Sequence, residues 1–220
     1  AASPALAQDA DDPSVYLQAV MDNLWVFIAG ILVFFMQAGF ALVEAGLTRS
    51  KNVANIMAKN IADMCIGVLA FYAVGYAFAY GDGGGWFIGG NSYFLSGSSL
   101  FEITEGLSGA TDFFFQVVFA ATAVTIASGA MAGRTKFSAY LMFAGLMTAF
   151  IYPVVVHWTW GGGLIYEYIN WGDAESYSDF AGSGIVHLTG GVAAFMGAKA
   201  LGPRIGKYDD EGKPRAIPGH

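Results

Sequence analysis

A single cysteine, Cys65, stands in 220 residues. That excludes an internal disulfide framework, and its place in an apolar run makes it an inert small hydrophobe. Charge is scarce as well: 12% of residues are charged, against about 25% in an ordinary soluble domain. Three histidines and one cysteine give no zinc or haem spacing, so no metal or cofactor is expected. Lys and Arg are missing altogether from 81–112 and 161–183. The net charge of −7 offers nothing to nucleic acid, and no such partner is expected. The first residue is not Met. The opening AASPALAQDADD lacks the charged start and apolar centre of a signal peptide but carries a small-residue cleavage-like motif, Ala5-Leu6-Ala7. It reads either as a signal-peptide remnant or as an acidic tail.

What is present is apolar bulk: 55% hydrophobic, 15% aromatic and 30 glycines. Glycine is commoner in membrane helices than in soluble ones. A bilayer-crossing helix needs about 20 mainly apolar residues, and five segments supply them: roughly Leu24–Leu47, Val53–Tyr80, Phe113–Ala132, Phe137–Trp160 and Gly184–Leu201. These runs are too long for the alternating strands of a membrane β-barrel. The expected fold is therefore an all-α polytopic membrane protein. It divides into an extracytoplasmic tail (1–22), a five-span domain (23–202) and a cytoplasmic loop (203–220). The chain ends after this basic loop without a terminating feature, so it is expected to be part of a longer protein. No internal repeat is visible. Five spans are a recurrent half-unit of transporters built from two inverted halves.

The loops set the orientation. Arg49, Lys51 and Lys59 lie between or beside the first two spans, and Arg134 and Lys136 between the third and fourth. Lys199, Arg204, Lys207, Lys213 and Arg215 lie at or after the end of the fifth. All ten basic residues fall on one side. The opposite loops carry Asp82, Glu102, Glu105, Asp112, Glu167, Asp173, Glu175 and Asp179. The positive-inside rule puts the N-terminus outside and the 220 end in the cytoplasm. The glycine triplets of the outer loops, 83–85 and 161–163, are followed by no GK[ST], so they read as turns rather than phosphate loops.

Several residues are candidates for chemistry. His187 lies inside the last apolar segment, where an ionisable group is costly and suggests function. It shares a helical face with Gly191, Ala194 and Ala198. Either it lines a narrow pathway or it bonds a carbonyl across a helix interface that the small residues allow. Asp179 precedes that span, as a cap on free N–H groups or as a cation holder. Phe115 and Phe119 stack at i,i+4 on the third span, as core or as gate, with Gln116 beside them. Trp158 and Trp160 end the fourth span as belt residues, or turn a ring to a cation at a vestibule. His157 beside them is expected at the interface rather than deep. Gln37, Glu44, Asn52, Asn55, Lys59, Asn60 and Asp63 cluster towards the basic ends of the first two spans. That cluster reads as structural glue, with Lys59 and Asp63 spaced to pair and Asp63 as a proton relay the minor alternative.

Five blocks together resemble one family. MQAGFALVEAGLTRSKN (36–52), FFFQVVFA (113–120), HWTWGGGL (157–164), DFAGSGIVHLTGG (179–191) and LGPRIG (201–206) are similar, in order and spacing, to the Amt branch of the Amt/Mep/Rh superfamily, the ammonium transporters. The resemblance runs from about residue 20 to the end. It implies the N-terminal five-span half of a fold made of two inverted halves plus a final helix, assembled as homotrimers in the bacterial inner membrane. It implies no enzyme activity, and transport of ammonium or methylammonium with recruitment of the ion outside, deprotonation, and passage of NH3. Trp160, Phe115 and Asp179 match the recruitment site, Phe119 matches one of two gate phenylalanines, and His187 matches the first of a pair of pore histidines. The second phenylalanine, the second histidine and a recruitment serine belong to the other half. A cytoplasmic PII-type regulator is also implied. Two alternatives stay open: an ammonium-sensing membrane module of a signalling protein, and an NH3 channel of Rh type.

Overall fold

The computed structural model describes residues 13–97, 100–103, 106–168 and 177–219; the Ala5–Ala7 motif and loop residues 169–176 lie outside them. Among the described residues, five helices are long and apolar enough to cross a membrane. They are α1 (Pro13–Leu47), α2 (Ser50–Tyr80), α3 (Gly109–Met131), α4 (Phe137–Tyr166) and α5 (Ser183–Leu201). The described residues are otherwise turns, short helices and two isolated bridges. Four of the five expected boundaries hold to within a few residues.

The fifth does not. The helix of α1 begins at Pro13, so residues 13–22, expected as tail, are helical. At ~1.5 Å per residue this helix is longer than a bilayer core, and hydropathy marks where the bilayer starts rather than where a helix starts. Its polar opening is held by its own bonds. Gln18 donates to Asp22 at 2.7 Å, and buried Asn23 bonds Gly106 O and Ser108 N at 2.9 Å each.

The two ends of the bundle differ as the charges require. At the basic end, Ser50 N donates to Gly219 O (2.7 Å) and Arg204 Nε to Ala132 O (2.9 Å), gathering three basic loops. At the acidic end, buried His157 places Nδ1 2.9 Å from Ala79 O and Nε2 2.8 Å from Gly85 O. Trp158 donates to Phe87 O at 2.9 Å. His157 is thus buried at the acidic end, where it anchors the glycine-rich loop that a surface ring could not hold.

The core lies on α3, against which α1, α2 and α5 pack. Its buried Thr122, Thr125 and Ser128 recur every three residues and form a polar seam facing α1 and α2. Thr125 donates to Gln37 Oε1 (2.9 Å) and Ser128 to Glu44 Oε2 (2.7 Å). Lys59 Nζ donates to Ser128 O (3.0 Å), sits 3.8 Å from Glu44 Oε2 and lies 4.6 Å over the Tyr140 ring. The expected Lys59–Asp63 pair is not formed. Asp63 accepts instead from Tyr140 Oη at 2.5 Å, since a helix-mate four residues away competes with partners that tertiary packing brings closer. Gln37, Glu44, Lys59 and Asp63 of this cluster thus bond across helices, in pairs other than the expected one.

Three stretches are wound as π-helix: Phe71–Gly75, Met147–Ile151 and Ser183–Leu188. Pro153, just past the second, has no N–H to return to the preceding turn. The first two pack together through Gly75, where a Cβ would stand 2.5 Å from Thr148 O, 2.7 Å from Phe71 Cδ2 and 3.2 Å from Pro153 Cγ. A backbone oxygen cannot step aside, so Gly75→Ala is expected to cost about 1–3 kcal/mol, an ordinary overpacking loss. Thermal unfolding in detergent measures it, and an unchanged midpoint would show that the two turns slide freely.

Candidate functional site

The site at the acidic end starts from a carboxylate. Asp179 is 7% exposed and lies before α5, whose first turns have free backbone N–H groups. Its Oδ1 accepts from Gly182 N and Ser183 N at 2.9 Å each, and its Oδ2 from Gly184 N (2.9 Å) and Ile185 N (2.7 Å). Four donors on one carboxylate make Asp179 a cap. The chain reaches them by turning at Gly182, with φ +86°, where a Cβ would also stand 2.7 Å from Val186 Cγ2. Past the cap, both Val186 N and His187 N donate to Gly182 O (2.9 and 3.0 Å), which is the π winding itself.

Trp160 is tied to the same residue. Its indole N–H donates to the Asp179 main-chain oxygen at 2.6 Å. The ring then meets Phe119 edge-on, with centroids 6.3 Å apart at 71°, and Phe119 meets Phe115 at 5.0 Å and 78°. Four of the five candidate residues therefore form one continuous line, Phe115–Phe119–Trp160–Asp179, drawn from α3, α4 and the entry to α5. Each edge-to-face contact sets the positive edge of one ring on the negative face of its neighbour, and a ring face of that kind attracts cations.

His187 follows two turns beyond Asp179 on the same segment. It is exposed in this chain and has no ring contact or hydrogen bond to the other four among the described residues. The stripe of small residues expected beneath it is only partly a packing face. A Cβ on Gly191 would meet nothing within 4 Å, whereas Gly190 lies against Ala123 O and Ile126, and Gly197 against Met131. Gly190 and Gly197 approach α3 while His187 and Gly191 face outward. That outward side is apolar: Leu188, Val192, Phe195 and Met196 are all more than half exposed.

Sequence reasoning missed the supports. His157 and Trp158 hold the 81–90 loop beside Trp160. Tyr177 Oη fills the space over Gly184 where a Cβ would stand. No periodicity marks either, because each partner is remote in sequence or set by the turn at Gly182. Cys65 is exposed on α2, consistent with a side chain facing lipid.

A family model described as Ammonium Transporter Family matches residues 24–220. The chain is 48% identical over 210 residues to ammonium transporter Amt2 of Archaeoglobus fulgidus, covering 91% of this chain and 42% of that protein. It is 45% identical over 212 residues to Amt1 of Haloferax mediterranei, covering 95% and 40%. A solved structure named as a sensor Amt protein superposes with TM-score 0.80 at 34% identity, covering 93% of this chain and 50% of its own. Candida albicans Mep2 superposes with TM-score 0.71 at 25% identity, covering 83% and 39%. The chain thus spans half or less of the length of these relatives.

Proposed function

We propose that this chain, which belongs to the ammonium transporter family, is the N-terminal half of an integral membrane ammonium transporter and forms one wall of its pathway. The observation that carries the reading is the line Phe115–Phe119–Trp160–Asp179, which ends in front of the His187 segment. Burying a lone ammonium costs several kcal/mol even after relaxation. At the outer mouth, the faces of Trp160 and Phe115 replace part of the lost water, each worth ~0.5–2 kcal/mol. Asp179 shapes that mouth through its backbone bonds, and its charge favours cations there. Phe119 constricts the path to the neutral molecule, NH3. His187 offers a hydrogen bond and a proton site beyond the constriction, and the released proton travels separately. Potassium has no proton to lose and is refused.

The ten basic residues on one side support a reading with residue 220 in the cytoplasm and the N-terminus outside, and the family membership supports a bacterial inner membrane as its location. Trimers of the full-length protein, and a PII-type regulator at the basic face, complete the reading. The neighbour named as a sensor supports a second one, an ammonium-sensing module joined to a signalling domain.

The test is current through the full-length protein in proteoliposomes after an ammonium step, with potassium as control. The transporter reading expects current for ammonium alone. Binding without current or uptake would favour the sensor, and uptake without current the Rh-type channel. His187→Ala is expected to cut ammonium current at least about tenfold, the weight of one proton-transfer partner. Its effect on stability should stay within about 0.5 kcal/mol, since the residue is exposed in this half. A variant that conducts as the parent does would reduce His187 to a bystander.

A further inference from the structure

The glycine triplets of the outer loops, 83–85 and 161–163, close on one histidine that the pathway does not use. His157 is 6% exposed. Its Nδ1 lies 2.9 Å from Ala79 O and its Nε2 lies 2.8 Å from Gly85 O. The second triplet makes room for the ring. A Cβ on Gly161 would stand 2.1 Å from Ala79 O and 2.8 Å from the ring's Nδ1, and one on Gly163 would stand 2.7 Å from Trp86 O and 2.8 Å from the ring's Cδ2. Past the helix the chain folds back over it, with Gly163 N donating to His157 O at 2.8 Å.

Both partners of the ring are main-chain carbonyl oxygens, which only accept. A neutral imidazole has one N–H and one bare nitrogen. It would meet one oxygen and set a lone pair against the other at hydrogen-bond distance, with both groups short of a donor. An imidazolium donates from both nitrogens and satisfies both oxygens. Asp82 of the loop, Asp112 of α3 and Asp179 ahead of α5 stand on neighbouring elements, but among the described residues no carboxylate forms an ion pair or hydrogen bond with the ring. The counter-charge comes from helix ends instead. His157 lies in the last turn of the helical run Tyr152–Thr159, and Ala79 lies in the last turn of α2, which ends at Tyr80. Two negative helix ends meet at the ring, and such ends favour a cation.

We propose that His157 is an imidazolium that straps the outer glycine loop to the end of α2, and that this charged strap is a positioning residue for the mouth at Trp160. The loop is bonded on itself, Gly85 N to Ile88 O at 3.0 Å and Gly90 N to Gly81 O at 3.2 Å, so holding Gly85 O holds the whole turn. Trp160 leaves the helix end that carries the strap, and the next residues are tied back to it, Gly161 N to Val156 O at 3.1 Å and Gly163 N to His157 O. The strap therefore fixes the segment from which the Trp160 ring projects. The charge state of His157 stands on geometry alone, whereas its effect on the mouth rests on the transport reading above.

The test uses the full-length protein in bilayers, isotope-labelled at histidine nitrogen and at alanine and glycine carbonyl carbon. Solid-state NMR at neutral pH identifies the His157 ring by its contacts to one alanine and one glycine carbonyl. Both of its nitrogens are expected to carry a proton, and a bare nitrogen overturns the proposal. His157→Gln has a single N–H2 group and cannot span both carbonyls. Hydrogen exchange of the amides in 81–90 should quicken about tenfold or more in it, the worth of one charge-assisted hydrogen bond. The half-saturating methylammonium concentration, read in vesicles of each orientation, should rise by a similar factor on the acidic side and stay within about twofold on the basic side, less than one neutral hydrogen bond is worth. Unchanged loop exchange sinks the strap, and a loosened loop with parental flux from the acidic side sinks its link to the mouth. If His157→Gln does not fold, the parent's ring nitrogens decide the charge. Trp158→Phe, which cuts the loop's other tie at Phe87 O, then decides the link, and an unchanged acidic-side value overturns it. A parent protein that moves methylammonium from neither side, with both ring nitrogens protonated, overturns the transport reading and leaves the strap standing.

Discussion

Replacing Asp179 with Ala is expected to abolish conduction and to destabilise the protein by about 3–5 kcal/mol, several times the ~1 kcal/mol of an ordinary cap loss. An ordinary cap satisfies one N–H, whereas Asp179 satisfies four. Those donors open a membrane helix, where unsatisfied backbone groups have little water to turn to. Asp179→Asn separates shape from charge. The amide is isosteric, but its single oxygen serves two of the four donors and its N–H2 faces the other two. Asn is therefore expected to behave like Ala rather than like Asp. Loss of the cap also frees the main-chain oxygen that holds the Trp160 indole, so function fails at the recruitment ring even where some protein folds. Thermal unfolding in detergent and ammonium current in proteoliposomes measure the two effects. An Asn variant with parental stability would show that the four contacts carry little energy.

The second large effect is expected at Lys59. It is 3% exposed and its ammonium is the near counter-charge of Glu44. Lys59→Met keeps the apolar stem but leaves a carboxylate buried without its cation, a loss of about 3–5 kcal/mol. Removing both charges, Lys59→Met with Glu44→Gln, should restore most of that, because an uncompensated charge costs more than an absent pair. The double-mutant cycle reads the coupling directly. Additive losses would mean that Lys59 acts through Ser128 O and the Tyr140 ring alone.

How much of the fold and the site is legible in the sequence differs from residue to residue. The Asp179–Gly191 stretch announces itself, since a carboxylate, a dense run of glycines and a histidine at the start of an apolar run are all local. Chain order offers Asp179 as a cap or as a cation holder, and the four backbone bonds make it a cap. That count of donors is not legible in the sequence, because it depends on the turn at Gly182 and the π winding after it. Trp160 and Phe119 are recognisable as candidates, but their common line with Asp179 joins residues from three helices. That His187 and Gly191 share a face follows from the 3.6 period; that Gly190 and Gly197, one residue off that face, are the ones that meet α3 does not. Lys59 and Asp63 have pairing spacing at i,i+4, yet their partners, Glu44, Ser128 and Tyr140, come from three other helices.

By itself, the sequence determined the membrane, the five crossings and the two unlike ends. Each depends on free energies summed over neighbouring residues, hydrocarbon transfer along a run and charge within a loop, and needs no knowledge of what packs against what. Tertiary structure decided the pairings, the face of α5 that meets α3 and the four donors on Asp179. Those depend on which groups far apart in the chain meet in a medium that will not solvate an unpaired one, as Ser128 and Glu44 do 84 residues apart, and no local pattern records that choice.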